Sequence, residues 1–420
     1  MTKKSDTPAI RFKGFTDTWE QRKLGEVLIS LQNNTLSRAD LSSEEGIAKN
    51  IHYGDILVKF GEVIDVKTES LPMISDETVI AKYKSSFLQN GDVIVADTAE
   101  DETVGKCTEI AGLSDEIVIS GLHTIPYRPL QKYAPGYLGY YMNSASFHNQ
   151  LLPLMQGIKV TSISKTALQN TDILYPKSAT EQAAIGTYFR NLDNLITLHQ
   201  RKYDKLTNVK KSMLEKMFPK NGSNVPEIRF KGFTEAWEQR KVTELGKIYI
   251  GLVTTMTAHY TDEGTLLIRN SDIKDGRFEF GEKPIFLEKS FAMANESRMH
   301  QIGDVITVHT GDVGTSAVIS ENEDKSIGFA TIVTRPNKTI IDPSYLCTFL
   351  NTERHKKWAV AISTGDGRTN YNLGDYFELV VPVPSIKEQK QIAMFIENLN
   401  NLITLHQRKW KRINFAVHTD

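Results

Sequence analysis

Two long segments of this chain occur twice, and this duplication constrains its fold more than any other feature. Residues 8–23, PAIRFKGFTDTWEQRK, return at 226–241 as PEIRFKGFTEAWEQRK. Residues 181–202, EQAAIGTYFRNLDNLITLHQRK, return at 388–409 as EQKQIAMFIENLNNLITLHQRK. An internal repeat of this length indicates one structural unit that is built twice. We therefore expect two similar halves on a common frame.

Between the repeats the two halves agree in outline only. The run GDVIV at 91–95 corresponds to GDVIT at 303–307, and Tyr137-Leu138 corresponds to Tyr345-Leu346. A duplicated segment that stays unchanged meets the same partner twice, whereas one that diverges but keeps its turns meets a different partner in each half. Drift after duplication is the alternative. Drift alone, however, would not spare the exposed charged residues of WEQRK and LHQRK while changing everything between them.

The repeats divide the chain into four segments. We expect a first globular domain at 1–180, which includes the N-terminal repeat, and a second at 219–387. Residues 181–218 and 388–420 are predicted to form two long helices.

Each globular domain mixes short β-rich runs with helical stretches. The residues after Gly91 and Gly303 are predicted to be strands that are entered from Gly-Asp turns. Residues 137–156 and 345–363 are predicted to be helices. In the first of these helices, Tyr137 and neighbouring apolar residues recur at helical spacing, and we interpret them as core. The pattern predicts a mixed α/β (α+β) fold for both domains.

Both long helices begin with the same start signal. Ser178 is followed three residues later by Glu181, and Ser385 by Glu388. In a capping box of this form the serine oxygen accepts a bond from an amide of the first turn, and the glutamate reaches back to the serine amide. We therefore expect both helices to begin at these serines with both bonds formed.

Apolar residues recur every seven positions along both helices, which predicts a seam for another helix. The seam positions are Ile185, Leu192, His199, Leu206 and Met213 in the first helix and Ile392, Leu399, His406 and Ile413 in the second. The simplest partner for each helix is the other, which gives a rigid spacer of about 60 Å. His199 and His406 share one heptad position, and we interpret them as a hydrogen-bonded pair that fixes the register. A metal site or a switch is the alternative.

Several loops and turns carry side chains suited to the edges of DNA bases. Arginine and lysine pair with guanine, asparagine with adenine, and serine or threonine with either. The candidate DNA-binding residues are Lys159, Thr161 and Ser162 in the first half, and Arg269, Asn270, His309, Thr310, Arg368, Thr369 and Asn370 in the second. A merely flexible loop is the competing interpretation. The lysine-rich face of the first long helix either follows phosphates or faces solvent or a partner.

Composition bounds the class of protein. The 50 Lys+Arg balance 51 Asp+Glu, for a net charge of −1, and this argues against a protein that coats DNA without sequence preference. No stretch approaches the roughly 20 apolar residues of a membrane helix. Cys107 and Cys347 match no metal-ligand spacing, so we expect buried small side chains in a reducing cytoplasm.

No motif of catalytic chemistry is found. The chain has no phosphate-binding glycine loop, no His-Glu-x-x-His and no clustered Cys/His set. The acidic run at 97–102 is replaced by HTGDVG at 309–314 in the other half, so an exposed acidic loop is favoured over a metal site. We expect a protein that is not an enzyme and that needs no cofactor and no metal.

The arrangement closely resembles the specificity subunits of type I restriction-modification enzymes. The resemblance is carried by WEQRK at 19–23 and 237–241, by the Glu-Gln pairs at 181–182 and 388–389, and by ITLHQRK at 196–202 and 403–409. It covers nearly the whole chain, and together these motifs are highly specific.

The resemblance implies a function and a set of partners. Each variable domain would be a target recognition domain that reads one half of a split sequence in double-stranded DNA. The two helices would form an antiparallel coiled coil that sets the gap between the half-sites. Two methyltransferase (modification) subunits and two ATP-dependent restriction subunits would bind this scaffold in the cytoplasm.

One departure and two alternatives remain. After His406 the second helix loses its match to the first and is shorter, so we expect the far end of the coil and one partner contact to be altered. An orphan DNA-binding scaffold without restriction activity is the main alternative, and a repeat protein that binds no DNA is the other. The recognised bases cannot be read from the sequence.

Overall fold

The protein forms two compact units in a computed structural model that describes residues 8–220, 222–363 and 369–418. The first unit comprises the residues up to Thr197 together with the segment from Arg412, and the second comprises Leu198–Lys411. The division therefore falls within two long helices.

The first unit contains twelve strands among its described residues. They are β1 (Glu20–Lys23), β2 (Leu28–Ser30), β3 (Ala48–Ile51), β4 (Val63–Asp65), β5 (Met73–Ile74), β6 (Val93–Ala96), β7 (Thr98–Ala99), β8 (Cys107–Ala111), β9 (Ile117–Ser120), β10 (Thr124–Pro129), β11 (Thr161–Ser162) and β12 (Asp172–Tyr175). Its helices are α1 (Leu24–Val27), α2 (Tyr53–Val58), α3 (Glu77–Lys82), α4 (Tyr137–Asn143), α5 (Ala145–His148), α6 (Lys165–Gln169) and the first part of α7 (Ala179–Lys216).

The second unit repeats much of this order of elements. Its strands are β13 (Glu238–Lys241), β14 (Gly246–Ile250), β15 (Tyr260–Thr261), β16 (Thr265–Arg269), β17 (Ile273–Lys274), β18 (Arg277–Phe278), β19 (Phe286–Leu287), β20 (Val305–Thr307), β21 (Ser316–Val318), β22 (Ile327–Phe329), β23 (Ile332–Pro336) and β24 (Val380–Val383). Its helices are α8 (Lys289–Ala294), α9 (Pro343–Leu350), α10 (Glu353–Ile362), α11 (Leu373–Phe377) and most of α12 (Ile386–His418).

The main sheets of the two units correspond in four strands, with β2, β10, β6 and β8 of the first matching β14, β23, β20 and β21 of the second. The first unit has a five-stranded sheet in the order β2-β10-β6-β8-β4, and the second has a four-stranded sheet in the order β14-β23-β20-β21. A parallel pair occurs in each, β3 with β9 and β16 with β22. Both units are mixed α/β structures, as the sequence predicts.

The repeated segment WEQRK forms the same strand in both units. β1 pairs antiparallel with β12, and β13 pairs antiparallel with β24. In each unit the partner strand leads directly into a long helix, α7 or α12. The repeat therefore joins the start of each domain to the base of its helix.

The repeated Glu-Gln pair fixes the start of each long helix. Arg11 donates two bonds to the carboxylate of Glu181, at 2.6 and 2.8 Å, and Arg229 donates two to Glu388, at 2.7 and 2.9 Å. Both carboxylates are buried. The next residue in each copy, a glutamine, bonds a backbone amide of the neighbouring loop with its oxygen.

The capping-box prediction is correct for the serines only. Ser178 and Ser385 accept a bond from the amides of Glu181 and Glu388, at 3.3 and 3.4 Å, and the helices begin at the next residue. The glutamate side chains, predicted to reach back to the serines, instead bind the arginines of the N-terminal repeats. A charged bidentate bond to arginine is stronger than a bond to a neutral amide, so it takes the carboxylate.

The long helices pack together within the second unit. His199 of α7 and His406 of α12 contact each other, with 2.9 Å between their Nδ1 atoms. Further along, Met213 and Met217 of α7 share a hydrophobic cluster with Ile392 of α12. Since residue numbers rise along one helix as they fall along the other, this packing is antiparallel. The hydrogen-bonded histidine pair is confirmed.

Two helices are shorter than the sequence predicts. The stretch 137–156 breaks after Asn143, and the stretch 345–363 breaks after Leu350. At the breaks, the hydroxyls of Ser144 and Thr352 donate to the carbonyls of Tyr141 and Phe349, three residues earlier. Short polar side chains compete with helical hydrogen bonds in this way, so each helix ends and a second one begins.

Three of the four predicted core residues of the first helix are buried, and the fourth, Tyr141, is half-buried against the same cluster. Tyr137, Leu138 and Met142 are at most 1% exposed, and both cysteines lie inside the units without a disulfide. Burial raises the pKa of both thiols. Thiols of this kind are inert, which agrees with a packing role.

Candidate nucleic-acid interface

In the second unit, four of the sequence-predicted residues lie at the end of strand β20. His309 and Thr310 follow the strand, and Thr310 pairs antiparallel with Asn370 in an isolated bridge. The Thr310 hydroxyl donates to Asn370 Oδ1 at 2.9 Å, and the Gly311 amide donates to the Thr369 carbonyl at 3.4 Å. Two loops more than fifty residues apart in sequence therefore meet at one place.

The hydrogen bonds of His309 define which nitrogen is free. Its Nδ1 lies 2.7 Å from the Thr310 hydroxyl, whose own hydrogen is donated to Asn370. With the Asn370 amide oxygen as the acceptor, the neutral tautomer that fits these contacts carries its hydrogen on Nδ1 and leaves Nε2 as an acceptor. Burial lowers the pKa of His309, which favours the neutral ring at pH 7. An acceptor here suits an amino group on a base edge.

Asn270 lies at the same place, but its amide is occupied. Its Oδ1 accepts from the His309 backbone amide at 2.8 Å, and its Nδ2 donates to the Ala330 carbonyl at 3.2 Å. A bidentate bond to adenine would require these contacts to break. The side chain is thus placed to hold the loops together.

Arg269 is held in a fixed orientation beside this cluster. Its Nε and Nη2 donate to Asp272 at 3.0 and 2.8 Å, and the Asp272 carboxylate is buried. The bond to Asp272 raises the pKa of the arginine. The guanidinium side chain is 38% exposed, which leaves its outer edge accessible to a phosphate or a base. Arg368, the remaining candidate of this half, lies outside the described residues.

The first-half candidates flank the corresponding strand end. Thr161 and Ser162 form strand β11, which pairs antiparallel with Thr98–Ala99 of β7. Ser162 also exchanges two backbone bonds with Gln156, so the intervening residues form a tight loop. Lys159 lies in that loop and is exposed. In both halves, therefore, a residue later in the chain, Ser162 or Asn370, pairs with the residues that follow the same strand.

The structure adds residues of the first half that the sequence reasoning left out. Asp97 and Thr98 follow strand β6, and His123 lies next to them. The Thr98 hydroxyl donates to Asp97 Oδ1 at 2.7 Å, and His123 Nδ1 lies 3.4 Å from the same oxygen. One sequence signal could have pointed to His123. The stretch GLHTI at 121–125 matches GFATI at 328–332, and both stretches lead into corresponding strands.

The side chains brought together at the strand ends offer hydrogen-bond donors and acceptors, and Arg269 beside them adds a positive charge. Within the described residues, no group of three or more His, Cys, Asp or Glu side chains is placed to hold a metal ion. None of the helices formed by these residues combines the length and apolar character that a membrane span requires.

Comparison with known proteins finds one family that matches both halves of the chain. The family model described as "Type I restriction modification DNA specificity domain" matches residues 16–208 and again residues 234–414. One relative is the MjaX type I restriction enzyme specificity subunit of Methanocaldococcus jannaschii, 23% identical over 95% of this chain and 91% of that protein. The EcoBI specificity subunit of Escherichia coli is 28% identical over 33% of this chain and 29% of its own length.

Solved structures share the fold. The S subunit of a type I restriction-modification system from M. genitalium aligns with a TM-score of 0.54 and 13% identity, over 98% of this chain and 97% of that one. A chain from a structure on complex assembly and conformational transition of the type I R-M system aligns with a TM-score of 0.50 and 16% identity, over 98% of both chains.

Proposed function

This chain belongs to the type I restriction-modification DNA specificity family, and from that membership we propose that it reads a split, asymmetric sequence in double-stranded DNA. Each unit reads one half-site. The observation that carries the proposal is that both units present the same strand end and loop, but with different side chains. A shared scaffold with divergent side chains is what two unequal half-sites require.

The unchanged parts of the two copies support a scaffold for identical partners. Leu195 and Leu402 are 42% and 43% exposed, and Leu198 and Leu405 are both 44% exposed. These leucines occupy matching positions of the repeat NLITLHQRK, and apolar side chains exposed on a helix face favour contact with another protein. We infer that each copy binds one modification subunit, and that two restriction subunits join this assembly.

The protein contributes recognition and leaves chemistry to its partners. The relatives that it matches are named specificity subunits. The residues at the strand ends hold one another by hydrogen bonds and present acceptors and donors to a ligand. Base contacts of this kind specify sequence, and contacts to phosphate fix position.

Two measurements test the proposal together. The full chain is co-expressed with its modification subunit, and the methylated adenines of the host DNA are mapped. We expect co-purification of the two proteins and one two-part motif. Duplexes that carry the motif should then be retained over scrambled competitors at a stated salt concentration.

The outcomes separate the proposal from its alternatives. An orphan scaffold would retain the two-part duplex without binding a modification subunit. A repeat protein of another function would show no preference for any duplex, and that result would refute DNA recognition.

A further inference from the structure

Five positions of the fold recur around the strand end of each unit and carry different side chains. Strand β6 lies antiparallel between β10 and β8, and strand β20 lies antiparallel between β23 and β21. Where these central strands end, the first unit has Asp97-Thr98 and the second has His309-Thr310. The facing loop contributes Ser162 in the first unit and Asn370 in the second.

A backbone turn of unusual conformation supplies another position in both units. His123 and Ala330 have φ angles of 55° and 48°, in the left-handed region that residues other than glycine rarely adopt. Both stand in the matching sequences GLHTI and GFATI. Strain of this kind persists only where the surrounding structure enforces it, and it is concentrated at functional sites.

Buried polar contacts hold the His123 turn in place. The Thr124 hydroxyl bonds Ser120 Oγ at 2.6 Å and donates to the Gly121 carbonyl. Asn33 Nδ2 donates to the same carbonyl at 3.1 Å. A satisfied network of this kind makes the turn rigid. The His123 ring on top of it is 46% exposed.

The remaining position, Asn270 in the second unit and Tyr53 in the first, lies between the turn and the strand end. In the second unit the Asn270 amide bridges the His309 amide and the Ala330 carbonyl. In the first unit Asp97 donates its amide directly to the His123 carbonyl at 3.1 Å. Tyr53 stands where Asn270 stands, and its ring lies edge-on to the His123 ring, with centroids 5.2 Å apart.

We propose that these five positions determine which bases each unit reads, an inference that rests on the proposed DNA recognition. The set is Tyr53, Asp97, Thr98, His123 and Ser162 in the first unit and Asn270, His309, Thr310, Ala330 and Asn370 in the second. Asn270, whose amide is occupied, acts by positioning the loops and not by contacting a base. The scaffold is common to both units, and the chemistry differs at four of the five positions. Two unequal half-sites follow from that difference.

In the first unit, the Asp97-His123 pair is the specificity element. Oδ1 of Asp97 accepts from Thr98 and contacts His123 Nδ1, so Oδ2 is the oxygen that faces a ligand. A carboxylate accepts from the amino group of cytosine in the major groove. Phosphates repel an acidic side chain at a DNA surface, and an amino group on a base edge compensates for that repulsion.

The surroundings of Asp97 suit a DNA strand. Asp97 lines a concave surface that also includes Asn33, Lys82, Ser164 and Lys165. Both lysines are exposed, so they can contact the phosphates of a strand whose base Asp97 reads. One concave surface therefore combines a carboxylate acceptor with two exposed lysines.

The test uses the full chain in complex with its modification subunit. Asp97→Asn keeps the size of the side chain and replaces an acceptor oxygen with a donor. His123→Ala installs the residue that the second unit carries at the same left-handed position, so the turn tolerates it. His309→Ala is the matched variant of the other unit. For each, the methylated motif is mapped and the affinity for the original duplex is measured.

We expect Asp97→Asn and His123→Ala to change one base pair in the same half of the motif. Affinity for the original duplex should fall roughly five- to 150-fold, the effect of one good base contact. His309→Ala should change only the other half. Thermal unfolding of each variant should match that of the parent chain.

Other outcomes overturn the inference without touching the proposed function. If both first-unit variants keep the original motif and affinity, other residues read that half-site. If they weaken binding equally on every duplex, the pair contacts phosphate or has only a structural role. The proposed function itself fails if the parent complex methylates no two-part motif.

Discussion

The repeated glutamates show how one residue can be kept unchanged for a structural reason. Glu181 and Glu388 were singled out as helix caps, but each receives two bonds from an arginine of the N-terminal repeat. The pairs lie at corresponding places in the two units, and both carboxylates are buried. Part of the duplicated sequence is therefore unchanged because it joins each domain to its long helix. Only the exposed residues of the repeats remain available to contact a partner.

Loss of one such carboxylate should destabilise its unit. Glu388→Gln leaves the Arg229 guanidinium, only 12% exposed, without its counter-charge. Removal of one partner of a buried ion pair costs about 3 kcal/mol or more. We expect the second unit to unfold at a clearly lower denaturant concentration. Glu397→Gln on the exposed side of α12 is the control, and equal stability of both variants would contradict the prediction.

Individual site residues could be predicted only in part from the sequence. Thr310, Thr369 and Asn370 were chosen for their chemistry, and the fold brings them together. Asp97 and His123 were passed over because an acidic run reads as an exposed loop and a single histidine has no pattern. Their contact depends on two strand ends that are far apart in sequence, so it is decided by tertiary structure.

At the scale of elements, periodicity predicted the helices well and their interruptions poorly. The seven-residue repeat and the capping serines placed the starts of α7 and α12 correctly. The breaks near Ser144 and Thr352 were missed, although Asn-Ser and Asn-Thr stand there. The side chains of Asn143 and Asn351 bond the backbone of Cys107 and Ser316 in the neighbouring strands, so tertiary contacts act together with the local bonds of Ser144 and Thr352 to end these helices.

The histidine pair should make the packing of the long helices sensitive to acid. Burial is the main cause that lowers the pKa of His199, and the charges of Lys409 and Lys202 lower it further. Burial also lowers the pKa of His406 most, followed by the effects of His199 and the same two lysines. Folding therefore favours the neutral rings. Their contribution to stability is complete above the ordinary histidine pKa of about 6.5 and is lost as the pH falls below it.

The measurement compares the parent chain with the double variant His199→Asn/His406→Asn. Asparagines can bond each other at this seam position without titrating. We expect the parent to lose more stability than the variant between pH 7.5 and 5.5. His300 and His355, whose pKa values are lowered to about 4 by burial, weaken both proteins alike in acid. If the stability of both proteins changed identically with pH, the histidine pair would not contribute to the acid sensitivity.

The exposed leucines of the repeat should be required for partner binding. Leu195→Glu/Leu402→Glu places a charge near the start of each copy of NLITLHQRK. We expect the modification subunit to be lost on co-purification, because burial of a carboxylate in an apolar contact is costly. Met394→Glu is the control, since Met394 is 58% exposed on α12 and has a threonine, Thr187, at the matching position. If Met394→Glu also abolished binding of the modification subunit, the loss would come from any charge added to the helix and not from the leucines.

At the scale of the whole molecule, the duplication separates what is fixed from what varies. The frame consists of the strand pairs β1-β12 and β13-β24, the arginine-glutamate pairs and the long helices. The side chains at the strand ends change between copies while their scaffold does not. A frame of this kind allows one domain to be exchanged without changes in the rest of the chain.

That separation predicts the behaviour of a chain with two identical reading domains. Replacement of residues 24–175 by residues 242–383 keeps every repeated segment and joins the same strands to the same helices. We expect this chimera to fold, to co-purify with the modification subunit and to direct methylation to a motif whose two halves are the same. The half that it keeps should be the one that His309→Ala changes in the parent chain. A motif with two unequal halves would mean that the frame itself contributes to base recognition, and the division between fixed scaffold and variable reader would be wrong.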